Sequence, residues 1–324
     1  MSDDTNCKPL TVTDLEKFSP SRVGSEGVPQ VLDVTGDFAV LSRSAPRDPE
    51  FERGFLLRRI QMVRGHPDLH AGHRAVLLES LRTAMPELME ETRELPIPGG
   101  VGYGVFYAND FRRSFTTGTG LVMDFIAPTA PGGNVGNYLY LTETNRAAKG
   151  VEALILYNGQ NELRFRVFDW ARSDPWSANI DVGFADLHEM GHLSRKTVGD
   201  SDYQILTVQN QTYLVEGNSW ANAVWLYNYV KGTWDLVYTY EYSATEDEQK
   251  TGWPGSWGPI VETFQNAYSS VNPLGFLQVR LSSRDAGMSW NDWQLLSDAQ
   301  SAVREDGIGF QMLFLAPNHS FAVH

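Results

Sequence analysis

The chain has 324 residues, a formal net charge of −14 and a single cysteine, Cys7. That much negative charge repels phosphate backbones and anionic lipid surfaces, so neither nucleic acid nor a membrane is an expected partner. One cysteine excludes an intrachain disulfide, and the core must hold without one.

The opening stretch MSDDTNCKPLTV has no basic n-region and no apolar h-region. As written it reads as cytoplasmic, with secretion by another route left open. No apolar run approaches the ~18 residues of a membrane-spanning helix. Residues 31–41, VLDVTGDFAVL, read as one or two short strands around Gly36.

The pattern then turns helical. Phe51, Phe55, Leu56, Ile60 and Val63, then Val76, Leu77, Leu81, Met85 and Leu88, recur at helical spacing. Helices are expected over about 48–64 and 73–94, the first with Asp48 as N-cap and Pro49 at its first position. Pro86 should kink or split the second. PIPGG (96–100) marks a boundary between a partly helical N-terminal segment (1–100) and a second domain (101–324). The segment suits an inhibitory prosegment, a dimerisation element or a lid; sequence does not choose, and it leaves the oligomeric state open.

From about 103 onward the signals are those of strands, at 119–127, 137–143, 151–158, 163–169, 203–209, 222–230, 233–242, 274–282, 289–296 and 308–316. They are short, rich in Val, Ile, Tyr, Phe and Trp, and punctuated by Gly, Pro, Asn or Asp. VWLYNYVKGTWDLVYTYEY reads as a hairpin turning at Lys231–Gly232. The expected fold is mainly β, an antiparallel two-sheet β-sandwich (concanavalin-like or similar). A propeller is disfavoured, because no 40-residue repeat is visible.

Several motifs carry chemistry. HEMGH, with His188, Glu189 and His192, matches H-E-x-x-H, in which two histidines one helical turn apart hold zinc and the glutamate activates the bound water. It needs a helix near 183–194, for which Asp181 could serve as cap. No third ligand follows at a familiar spacing; Asp200, Asp202 and Glu216 are loose candidates. His66, His70 and His73 in HPDLHAGH have similar spacings, but Pro67 and Gly72 interrupt them, and a polar loop is the simpler reading. Ser283, Asp285, Gly287, Ser289 and Trp290 fit S-x-D-x-G-x-[ST]-W, which resembles the Asp-box hairpin of sialidases and other β proteins. The motif ties down a turn and says little about function.

TGWPGSWGPIVETF (251–264) sets one acid, Glu262, at the end of a stiff aromatic stretch. Glu152 in GVEALILY alternates onto one strand face with Leu154 and Leu156. Two carboxyls in one cleft share a proton, so the ionised one can activate water while the protonated one serves the leaving group. The structural alternatives are a salt bridge from Glu152 to Arg164 or Arg166, and a solvated strand end for Glu262.

GLVMDFIAPTAPGGNVGNYLYLTETNRAAKGVEALILY, then FRVFDWA, then GSWGPIVETF resembles the layout of the neprosin-like and eqolisin-like glutamic peptidases over about residues 115–275. The resemblance implies a double-sheet sandwich with catalytic Glu152 and Glu262, a peptide substrate and no cofactor.

Other readings stay open. Trp170, Trp176, Trp220, Trp225, Trp253 and Trp257, with Asn218 and Asn222, could line a non-catalytic site for a glycan or small ligand, provided that the rings are exposed. A zinc hydrolase through HEMGH and a metabolic enzyme using the sandwich for small-molecule chemistry complete the set.

Overall fold

The computed structural model describes residues 101–108, 116–128, 138–144, 149–157, 163–174, 178–198, 201–244, 260–264, 276–285, 294–295, 299–305, 312–316 and 320–323, with Glu79, Arg82 and Pro86. Those last three are helical and fall inside the expected helix 73–94; Glu79 and Arg82 form an exposed ion pair. The helix expected over 48–64, the strands over 31–41, the boundary near 96–100 and the histidines of HPDLHAGH lie outside the described residues.

In chain order the strands begin with β1 (Val101–Ala108), β2 (Thr116–Pro128), β3 (Tyr138–Thr144), β4 (Gly150–Tyr157), β5 (Leu163–Asp169) and β6 (Ile180–Gly183). A one-and-a-half-turn helix, α1 (Phe184–Glu189), precedes β7 (Leu193–Val198), β8 (Ser201–Glu216), β9 (Ser219–Asn228) and β10 (Thr233–Ser243). The rest are β11 (Ile260–Phe264), β12 (Phe276–Asp285), β13 (Gln294–Leu295), β14 (Ala299–Glu305), β15 (Met312–Ala316) and β16 (Ser320–Val323). All the pairings are antiparallel. The first sheet runs β14-β1-β11-β3-β4-β5-β6, and the second β10-β9-β8-β2-β12-β16-β15, with β7 beside β8 and β13 beside β12.

The two sheets pack face to face, β3 and β4 of the first over β8 and β9 of the second. The fold is therefore the antiparallel two-sheet sandwich that the strand pattern led us to expect. Period-two alternation decides what enters the core. Val151, Ala153 and Ile155 of β4 and Phe165 and Val167 of β5 share one face by register, and all are buried. Leu206, Val208, Val224 and Leu226 of the second sheet are buried on a common face of β8 and β9. Asn222, on that second face, hydrogen-bonds Asp169 on the first, so these two faces meet.

The expected turn at Lys231–Gly232 is present, but β9 ends earlier, at Asn228. Its Oδ1 accepts from Val230 N and Lys231 N, and Gly232 closes the turn at φ 69°. β12 carries Ser283 and Asp285 of the Asp-box, and β13 folds back on it; the turn itself lies outside the described residues. Among the described residues no helix is long and apolar enough to cross a membrane.

Candidate active site

Register lays out the outward face of the first sheet as rows that cross the strands. One row reads Val105, Ile260, Thr142, Glu152, Phe168. The next reads Arg304, Tyr103, Glu262, Tyr140, Leu154, Arg166, Asp181. A third reads Val101, Phe264, Tyr138, Leu156, Arg164, Gly183. Directly paired residues and those two apart share a face. Glu152 and Glu262, 110 positions apart in sequence, therefore lie on the same face, on strands separated only by β3. Strand spacing puts their Cα atoms about 12 Å apart.

Glu152 is buried, with 3% of its surface exposed. Its place is set by GVEALILY, a β-branched and leucine-rich segment that favours a central strand between β3 and β5. The arginines of β5 bind Asp181 at the start of β6. Arg164 Nε donates to Asp181 Oδ1 at 2.6 Å and Arg166 Nη2 to Asp181 Oδ2 at 2.9 Å. Arg164 Nη2 also reaches the Asp181 carbonyl at 3.3 Å. Asp181 is thus a salt-bridge partner rather than a helix cap; the N-cap of α1 is Gly183, which makes no side-chain cap hydrogen bond.

A second polar group sits on the opposite, inter-sheet face of β5. Asp169 is fully buried. Its Oδ1 accepts from Ala171 N at 2.8 Å and Asn222 Nδ2 at 2.9 Å, and its Oδ2 accepts from the Tyr238 hydroxyl at 2.9 Å. Thr212 donates to Asn222 Oδ1, extending the chain of bonds into β8. Arg172 hydrogen-bonds the Tyr238 hydroxyl and lies 4.7 Å over the Tyr240 ring. Burial pushes the Asp169 carboxyl up to about 6, against the hydrogen bonds and the Arg172 charge that pull it down. Burial, then the Asp169 charge, likewise raises Tyr238. Sequence reading passed over this group. An Asp at the end of an alternating strand is ordinary turn chemistry, and its partners come from β9 and β10.

HEMGH does not form one helical face. α1 ends at Glu189, and Gly191 leaves the helix at φ 85°. His188 and Glu189 are exposed whereas His192 is buried. His192 Nε2 lies 3.4 Å from Asp235 Oδ2, and its Nδ1 lies 3.4 Å from the Tyr227 carbonyl. Asp235 also receives Asn228 Nδ2 and Lys231 Nζ, so this corner ties α1 to the β9–β10 hairpin. Among the described residues no group of three or more His, Cys, Asp or Glu could hold a metal ion.

The aromatic candidates divide by depth. Trp220 and Trp225 are buried at 5% and 1% exposure, and Trp225 Nε1 donates to Gln211 Oε1. Neither offers a ring face to a ligand. Trp170 is half-buried, Asn218 exposed and Asn222 buried in the Asp169 network. Trp176, Trp253, Trp257, Asp200 and the side chains of Asp202, Glu216 and Glu262 lie outside what the structure describes.

No protein-family model matches the chain, and no curated protein matches it. Among solved structures, it is similar to SCP-B, a member of the eqolisin family of peptidases in complex with the tripeptide Ala-Ile-His. The identity is 10% and the TM-score 0.31, over 70% of this chain and 97% of that one. It is also similar to scytalido-glutamic peptidase bound to a peptide-based transition-state analogue, at 8% identity and TM-score 0.32, with the same coverage. These are the peptidases that the sequence resembles. A likeness of this size assigns no residue role.

Proposed function

We propose that the chain is a carboxyl-dependent hydrolase that cleaves peptide bonds with Glu152 and Glu262. The observation that carries this reading is the register: both glutamates lie on one face of the first sheet, one row and two strands apart, flanked by tyrosine and threonine positions. The sequence resemblance to glutamic peptidases falls on the same two residues.

The chemistry needs nothing further. One glutamate, ionised, takes a proton from water as the water oxygen attacks the carbonyl carbon. The other, protonated, gives its proton to the amide nitrogen as the C–N bond breaks. The pair ends with its single proton exchanged between partners, and proton transfer through solvent restores the starting state.

The test is hydrolysis of a denatured protein substrate across pH 3–8 by the full chain and by Glu152→Gln and Glu262→Gln. Each substitution is expected to lower turnover by about 10²–10⁴ while the fold is kept. Full activity in either variant removes the pair from the mechanism.

A further inference from the structure

The outward face of the second sheet buries amides that bind nothing in the chain. Val208, Asn210 and Thr212 of β8 face the first sheet together with their partners Leu226, Val224 and Asn222 of β9. Alternation therefore puts Gln209 and Gln211, with their partners Trp225 and Ala223, on the outward side. Thr239 of β10 pairs with Ala223 and joins them. Gln209 and Gln211 are both 0% exposed. Nε2 and Oε1 of Gln209, Nε2 of Gln211 and Oγ1 of Thr239 are buried with no hydrogen-bond partner. They make up four of the nine such side-chain atoms among the described residues, so the deficit is concentrated on one patch. Burying an amide without a partner is destabilising, and native interiors hold few of them. Trp225 Nε1 donates to Gln211 Oε1 at 2.9 Å, which fixes the plane of that amide and leaves its Nε2 free. Ala223 and Gly120 flank Gln211 on the neighbouring strands, so no bulky side chain stands beside it in its row. Strand geometry sets the Gln209 and Gln211 Cα atoms about 7 Å apart, and Thr239 Cα about 10 Å from Gln211.

We infer that Gln209, Gln211 and Thr239 form a binding site for a neutral amide, on the sheet opposite Glu152 and independent of the hydrolase reading. Gln209 has both a donor and an acceptor free on one planar group, and the complement of that edge is another planar amide, held by two parallel hydrogen bonds. Gln211 Nε2 donates to a second ligand carbonyl, and the Thr239 hydroxyl takes a further polar group. None of these side chains is charged, so an ionised ligand would lose its hydration there without meeting a counter-charge. The amide can come from a small carboxamide or from a peptide backbone, whose carbonyls on one side of an extended chain recur every ~7 Å, the spacing of the two glutamines.

The test titrates the full chain, with its glutamine side chains labelled with ¹⁵N, against acetamide, against trialanine blocked at both ends and against glucose. The side-chain NH₂ signals of Gln209 and Gln211 are assigned from Gln209→Met and Gln211→Met, and urea unfolding is followed for each protein. At least one of the two amides should shift both signals, and Gln209→Met should weaken its binding about tenfold. The same substitution should raise the urea midpoint of the ligand-free protein, because it replaces a buried group that has no partner. Shifts with acetamide assign the site to small carboxamides; shifts with blocked trialanine alone assign it to a peptide backbone. Signals that neither amide moves overturn the inference, and so do signals that glucose moves as far as the amides do. A lower urea midpoint in Gln209→Met with amide binding unchanged also overturns it, and leaves the glutamines holding structural water only. The wild-type titration decides the matter even where a variant fails to fold.

Discussion

The two faces of β5 differ in how they carry charge. One holds Arg164, Arg166 and Phe168; the other holds Phe165, Val167 and Asp169. Both are largely buried, yet the outward face joins its charges to Asp181 as ion pairs, while the inter-sheet face holds the Asp169 carboxylate by hydrogen bonds from Asn222 and Tyr238, with the Arg172 charge nearby. The consequences are opposite. A buried ion pair becomes costly when one partner is removed. A carboxylate whose burial outweighs its hydrogen bonds and a nearby charge yields by binding a proton, which is why burial pushes Asp169 up to about 6. Alternation with period two lets one short strand run both schemes, one residue apart.

Breaking the ion-paired face should have the largest effect. Asp181→Asn leaves two arginines without their shared carboxylate and is expected to destabilise the fold by about 3–5 kcal/mol, read by urea unfolding. A loss below about 1 kcal/mol would mean that water reaches these arginines freely.

The inter-sheet face predicts a pH dependence. The folded chain holds the Asp169 proton more tightly than the unfolded chain, with a pKa of about 6 against the ordinary 3.8. That contribution to stability is fully present below about 3.8 and lost as pH rises through about 6, a difference of order 3 kcal/mol. Unfolding followed from pH 3.5 to 7 should show this decline superimposed on other titrations, and Asp169→Asn should remove it. An unchanged profile in that variant would place the titration elsewhere.

The smallest effect sharpens the same point. Tyr238→Phe removes one donor to Asp169 and should cost about 1 kcal/mol near neutrality. The same substitution should move the Asp169 midpoint upward, because that hydrogen bond favours the ionised form. A midpoint that stays fixed would assign the bond no part in holding the charge.

The sandwich was legible because its signals are local. The segment 163–169 matches β5 residue for residue, with alternation over Leu163–Val167, and the VWLYNYVKGTWDLVYTYEY hairpin shows itself through its turn chemistry. β1, β6, β7, β14 and β16 are missing from the expected strands; for β6, β7 and β16, four to six residues carry too little periodicity and their pairing is supplied by longer neighbours. HEMGH is the complementary case. Its spacing is right for a helix, but a helix interrupted by Gly191 and flanked by strands ends before His192, which turns inward to Asp235 and the Tyr227 carbonyl instead. Spacing alone cannot tell a six-residue helix from a longer one.

By itself the sequence determined the class of the fold, the strand-rich stretch after residue 100, the absence of disulfide support and the identity of two isolated acids. Those follow from composition, alternation and turn residues, which act over a few positions. Only the tertiary structure decided that β11 pairs with β3, that Glu262 thereby shares a face with Glu152, that Asp181 gathers both arginines and that Asp169 is sealed between sheets by Asn222 and Tyr238. These contacts join segments tens of residues apart, and sheet order is set by the summed packing of both layers rather than by any local preference.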